Sequence, residues 1–266
     1  MSHDLRALRR AGGAFRLAFA LAALSLGIPA LASAGGEDRV VEAANVARAD
    51  KKPAWVLTEG DKAPPPILVY PAPKSDGPKP LMLFLHGMCD VPQNECSELL
   101  AGATGNHFVA CPTADMACTG GGAIWSGDPK RRSAAVESTV ARLQTAFPDQ
   151  IAASNATLVG FSLGSFVALD VAQRQKGNWK NLILVGAKIE PDAKLLREAG
   201  IESVLLGAGD RDMMKNHMVG VAKRLEKQGI RVRFMGMGNV GHWFSSDMDA
   251  WLAEGMAWLD AKPNGA

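Results

Sequence analysis

Short apolar runs recur along the chain, Leu81-Met82-Leu83-Phe84-Leu85, Ala156-Thr157-Leu158-Val159, Asn181-Leu182-Ile183-Leu184-Val185 and Ser203-Val204-Leu205-Leu206-Gly207, with helix-like patterns between them. A strand with no polar alternation is buried on both faces, which is how the strands of a parallel sheet read. Repeated strand–helix alternation places helices on both faces of such a sheet. Trp55–Thr58 and Ile67–Tyr70 read as two early strands, with Pro64-Pro65-Pro66 excluding a helix between them. Helices are expected over Pro92–Ala101, Pro129–Phe147, Ser165–Ala172, Pro191–Ala199, Met213–Gln228 and Asp247–Leu259. A short strand is expected at Asn106–Ala110 and a last one, near the sheet edge, at Ile230–Met235. Thr113–Asp128 reads as a long irregular loop. In open sheets of this kind the sites form at the carboxyl ends of the strands.

One of those strand ends carries Gly160-Phe161-Ser162-Leu163-Gly164, G-x-S-x-G, directly between an apolar run and a helix. A serine at the apex of so tight a turn stands clear of the sheet, beside the first amides of the helix, where negative charge is stabilised. Gly160 and Gly164 let strand and helix approach. Serine is a poor nucleophile without a base, and the base needs an orienting acid. Asp210 follows the Ser203–Gly207 strand, and His242 follows the last strand within Gly238-Asn239-Val240-Gly241-His242-Trp243. Asp212 is the alternative acid, two residues further from its strand end. Asp247 and Asp249 open a helix, where carboxylates favour the positive end of the dipole. His86, His107 and His217 are less well placed than His242. Backbone donors for an oxyanion are expected from the Leu163 amide, after the nucleophile, and from the Met88 amide, after His86-Gly87.

The 266 residues are 47% hydrophobic and 21% charged, enough for one large domain. Arg6, Arg9, Arg10 and Arg16, the apolar stretch Leu17–Leu31 and Ala32-Ser33-Ala34 have the layout of a secretory signal peptide over residues 1–34. Residues 35–52 read as a mobile lead-in and residues 53–262 as the folded domain. An apolar run of about 15 residues is short of a membrane span, so no stable membrane anchor is expected. Without residues 1–34 the chain has 25 basic and 26 acidic residues, a net charge of −1. No basic patch points to nucleic acid. Cys89, Cys96, Cys111 and Cys118 lie within thirty residues of one another. Their spacing is not that of a zinc site, and no metal or cofactor is expected. In an exported chain they form disulfides in one of three connectivities. The local pairs Cys89–Cys96 and Cys111–Cys118 are favoured, with bridges between the two loops as the alternative.

His86-Gly87, the G-x-S-x-G pentapeptide, Asp210 and Gly241-His242, in that order, resemble the α/β-hydrolase family over about Ile67–Leu259. More narrowly they resemble its compact carboxylesterases, the phospholipase/carboxylesterase, feruloyl-esterase and polyhydroxybutyrate-depolymerase-like groups. The resemblance implies an α/β-hydrolase fold with a mostly parallel sheet of about eight strands and helices on both faces. It also implies a Ser162–His242–Asp210 triad. Only Gly186–Glu190 separates the Asn181–Val185 strand from Pro191, so no cap domain is expected and the site is open to a small-molecule or polymeric ester. Trp125 and Trp243 are its candidate walls. A peptidase or acyltransferase on the same triad, and a non-catalytic binding protein, are the competing expectations.

Overall fold

The computed structural model describes residues 39–42, 55–58, 65–72, 77–103 and 106–261. The expected signal peptide and most of the expected lead-in lie outside them. The strands are β1 (Arg39–Glu42), β2 (Trp55–Thr58), β3 (Ile67–Tyr70), β4 (Lys79–Leu85), β5 (Phe108–Pro112), β6 (Met116–Ala117), β7 (Ala123–Ile124), β8 (Ile151–Phe161), β9 (Asn181–Val185), β10 (Ser203–Ala208) and β11 (Arg231–Gly236). The helices are α1 (Pro92–Ala103), α2 (Pro129–Ala146), α3 (Leu163–Arg174), α4 (Ala193–Ala199), α5 (Lys215–Lys227) and α6 (Met248–Asp260). One sheet of nine strands runs β1-β2-β3-β5-β4-β8-β9-β10-β11. From β5 to β11 neighbours are parallel, whereas β1, β2 and β3 join antiparallel. β1, within the expected lead-in, pairs Arg39–Glu42 with Trp55–Thr58 and makes the sheet one strand wider than expected.

The apolar strands serve two cores because successive side chains point to opposite faces. Leu81, Leu83 and Leu85 of β4 join one cluster with residues of α2, α3, α4 and α5. Met82 and Phe84 join the other with residues of α1 and α6. β9 and β10 divide in the same way, Leu182, Leu184, Val204 and Leu206 against Ile183, Val185 and Leu205. Each of these side chains is essentially fully buried, and burial of one stabilises the fold by roughly 1.5–3 kcal/mol. This double burial is why continuous apolar runs, rather than alternating ones, mark the central strands.

Local chemistry sets the element ends. Asp128 accepts the Arg131 N–H and Pro129 takes the first helical position of α2, where a missing N–H does no harm. Asp192 accepts the Lys194 and Leu195 N–H groups, so α4 starts at Ala193 rather than at Pro191. β8 begins five residues earlier than its apolar run, at Ile151. Its pairing with β4 jumps from Pro80–Ala152 to Met82–Thr157, and the extra residues bulge through Asn155 at φ 63°. The polar Ser154-Asn155 within that bulge hides the strand start. The Thr113–Asp128 loop is also more ordered than expected: β6 and β7 form a small hairpin, and Asp90 bridges to Ala123. Residues 186–192 alone connect β9 to α4, and among the described residues no cap domain stands over the strand ends. Among the described residues no helix is long and apolar enough to cross a membrane.

Candidate active site

β8 runs into Ser162 and α3 starts at the next residue. Ser162 has φ 52° and ψ −117°, a backbone conformation that side-chain-bearing residues rarely adopt. The turn is held from several sides. The Ser162 N–H donates to the Val185 carbonyl at 2.9 Å. The buried Ser165 hydroxyl accepts the Val185 N–H at 3.0 Å and lies 2.7 Å from the Gly160 carbonyl. A methyl group on Gly164 would stand 1.9 Å from the Leu85 carbonyl oxygen, and one on Gly160 would stand 2.3 Å from that of Gly164. The two glycines are therefore required by backbone contact. Ser165, which ties the turn to β9, went unread in the sequence; its position three residues after the nucleophile was the signal available.

The Ser162 hydroxyl lies 3.0 Å from His242 Nε2, and His242 Nδ1 lies 2.9 Å from Asp212 Oδ2. The acid facing the histidine is Asp212, not Asp210. Beyond β10 the chain turns back on itself, with the Asp212 N–H donating to the Gly209 carbonyl at 3.1 Å. That turn sends the Asp210 side chain outward, where it meets Lys215 Nζ at 2.7 Å, and carries Asp212 inward beneath the imidazole. Proximity to the strand end was thus the wrong criterion. Asp212 is buried, and its second oxygen accepts the Met214 N–H at 2.8 Å, so both oxygens are engaged.

The acid loop and the histidine loop are zipped together through the backbone. Asp210 N–H donates to Gly238 O at 2.8 Å and Arg211 N–H to Val240 O at 2.9 Å. A Cβ at Gly209 would fall 2.3 Å from the Val240 oxygen. Gly186, at φ 63° just after β9, leaves room for the pair: a Cβ there would sit 3.1 Å from His242 Cε1 and 3.3 Å from Asp212 Oδ2. Phe161 underlies the imidazole, with ring centroids 5.1 Å apart.

On the other side of Ser162 lies the loop after β4. His86 is fully buried. Its Nδ1 lies 2.8 Å from the Gly87 carbonyl and its Nε2 accepts the Ala114 N–H at 3.0 Å, which fixes a neutral ring protonated at Nδ1. Burial lowers its pKa in the same sense. The Gly87 N–H is taken by Glu95 Oε2 at 2.8 Å. The next amide, Met88, is left as the candidate oxyanion donor on this loop. The Leu163 N–H opens α3 and so has no acceptor within the helix. The Met88 side chain is exposed.

Trp125 does not line the site. It is 7% exposed, belongs to the core, and its Nε1–H donates to the His86 carbonyl at 2.9 Å. It holds the loop from behind. Trp243 is 43% exposed and meets Phe161 and Phe244 edge-on, so it remains at the rim. The cysteines pair as Cys89–Cys118 and Cys96–Cys111, with Cα atoms 5.6 Å and 6.4 Å apart, against the favoured local pairs. Cys96 faces the core from α1, toward Cys111 on the adjacent β5. Cys118 directly follows β6, at the turn of the small hairpin whose second strand, β7, bridges to Asp90. Packing of α1 on β5 thus separates the local partners. Among the described residues no group of three or more His, Cys, Asp or Glu side chains is placed to hold a metal ion.

No family model and no curated protein matches the sequence. Solved structures do match the fold. Esterase PE8 is 21% identical, with a TM-score of 0.55 over 72% of this chain and 97% of that one. Acyl-protein thioesterase 2 of Zea mays is 20% identical, with a TM-score of 0.53 over 73% and 98%. FphF, a fluorophosphonate-binding serine hydrolase of Staphylococcus aureus, is 12% identical, with a TM-score of 0.57 over 86% and 99%. Nine strands in this order, a strained serine turn and structural neighbours of this kind establish that the chain has the α/β-hydrolase fold, with no cap domain among the described residues.

Proposed function

We propose that the protein is an exported serine hydrolase that cleaves carboxylic esters through Ser162, His242 and Asp212. The observation that carries this reading is the unbroken hydrogen-bonded line from the Ser162 hydroxyl through His242 to buried Asp212, on a strained turn. Ser162 Oγ attacks the acyl carbon and its proton passes to His242 Nε2. Asp212 holds the Nδ1–H tautomer and stabilises the imidazolium. The Met88 and Leu163 amides bind the oxyanion, each donor contributing on the order of 100-fold in rate. Collapse breaks the bond to the alcohol, which takes the proton from His242 and leaves an acyl-enzyme. Water then attacks the acyl carbon, its proton passing by way of His242 to the departing Ser162 oxygen, and the carboxylic acid is released.

Two disulfides suit an oxidising compartment, in keeping with export. The absence of a cap and the exposed Trp243, beside the base, favour bulky or extended esters. Thioesters belong in the same test, since acyl-protein thioesterase 2 and an S-formylglutathione hydrolase share the fold. The test is turnover of a panel of p-nitrophenyl esters and thioesters, together with fluorophosphonate labelling, for the protein and for Ser162→Ala. Labelling at Ser162 and loss of turnover in the folded variant are expected. An unlabelled protein, or a variant as active as its parent, overturns the assignment.

A further inference from the structure

Glu95 is the least expected side chain near the site. It lies in the first turns of α1, is 1% exposed, and points toward the strand-end loop rather than to solvent. Carboxyl groups are almost never so buried unless paired. Its Oε2 accepts the Gly87 N–H at 2.8 Å. Gly87 is enclosed between this carboxyl and the nucleophile: a Cβ on Gly87 would stand 2.8 Å from Glu95 Oε1 and 3.4 Å from the Ser162 Cβ. The adjacent residue, Cys96, is bonded to Cys111 on β5, so the backbone that carries Glu95 is covalently fixed.

We infer that Glu95 is a positioning residue of the ester-hydrolase site, fixing the His86–Gly87 peptide so that the next amide along the chain, that of Met88, is held as an oxyanion donor. The inference rests on the triad reading above. The residue does not touch substrate; it acts through Gly87.

The protonation state follows from the surroundings. Burial pushes the Glu95 carboxyl up to about 8; the Gly87 hydrogen bond opposes this, and the charge of Asp90 and a side-chain hydrogen bond with it both add to it. Asp90, itself held by the Val91 N–H and the Asn94 side chain, is the charged group that acts on it. Below about pH 8 the group is a neutral acid that still accepts the Gly87 N–H. Above that pH it becomes an anion close to where the oxyanion develops, which opposes the negative charge of the transition state.

The experiment compares the parent protein, Glu95→Leu and Glu95→Gln on a soluble p-nitrophenyl ester from pH 6 to 10, with thermal midpoints and fluorophosphonate labelling in parallel. Glu95→Leu is expected to lower kcat on the order of 10- to 100-fold with little change in KM, since a donor used in the transition state is displaced. Glu95→Gln keeps an acceptor for Gly87 and is expected to retain most of kcat at pH 7. It is also expected to lack the fall in kcat that the parent shows above about pH 8. A folded Glu95→Leu with parental kcat, or one changed only in KM, overturns the inference. So does a Glu95→Gln that keeps the parental alkaline fall, and this arm stands if Glu95→Leu does not fold. Failure of the parent to label at Ser162 would instead defeat the triad reading.

Discussion

The two halves of the site are held by different means. On one half, Ser162, Asp212 and His242 sit just after β8, β10 and β11, fixed by backbone hydrogen bonds and by glycines that let those segments touch. No disulfide reaches them. On the other half, which carries the proposed oxyanion donor, the loop after β4 is tied by side chains. Glu95 takes the Gly87 N–H, Trp125 takes the His86 carbonyl, His86 takes the Ala114 N–H, and two disulfides close around it. What each half packs against explains the difference. The acid and histidine loops leave neighbouring strands and meet backbone to backbone, whereas the loop after β4 lies against the long excursion through residues 113–128, which is anchored to it by side chains.

The sharpest break is on the half that carries Ser162. Asp212→Asn is expected to lower kcat about 10⁴-fold, because the amide no longer favours the productive imidazole tautomer. Asp210→Asn, which loses only its exposed contact with Lys215, should stay within about twofold. Steady-state kinetics on one ester decides between them, and equal losses would return Asp210 to the site.

On the other half the covalent anchors come next. Replacing both Cys96 and Cys111 by alanine is expected to cost about 3 kcal/mol of stability, read from urea denaturation, with kcat falling more than Ser162 labelling. The chain enclosed by this bridge carries the β4-to-β5 connection and no triad residue, so an equal loss of labelling would contradict the division into halves. On this half the smallest effect is expected from Trp125→Phe. It keeps the ring in the core and removes one hydrogen bond to His86, worth about 1 kcal/mol. Thermal melting should show a shift of a few degrees, and KM should not move, since this side chain does not meet substrate.

The same contrast separates what the sequence discloses from what it withholds. The central strands were readable because burial on both faces leaves an unbroken apolar run, as at Leu81–Leu85. Ser162 and His242 were readable because each sits at a strand end, next to the glycines its turn requires. Asp212 was not, because the choice between two acids two residues apart depends on one backbone turn, through Gly209, that composition does not encode. The pairing of Cys96 with Cys111 depends on α1 packing over β5, a long-range contact. Trp125 looks the same in sequence whether it lines a cleft or braces a loop. Glu95 is, in sequence, one acidic residue among many, and only its burial against Gly87 sets it apart.

The backbone of Ser162 has a consequence beyond its chemistry. At φ 52° and ψ −117° this position would suit glycine better than serine, and strain of this kind costs on the order of 1–3 kcal/mol. Ser162→Gly is therefore expected to raise the thermal midpoint while it removes the hydroxyl on which the proposed chemistry depends, so that durability and the proposed activity pull this one position in opposite directions.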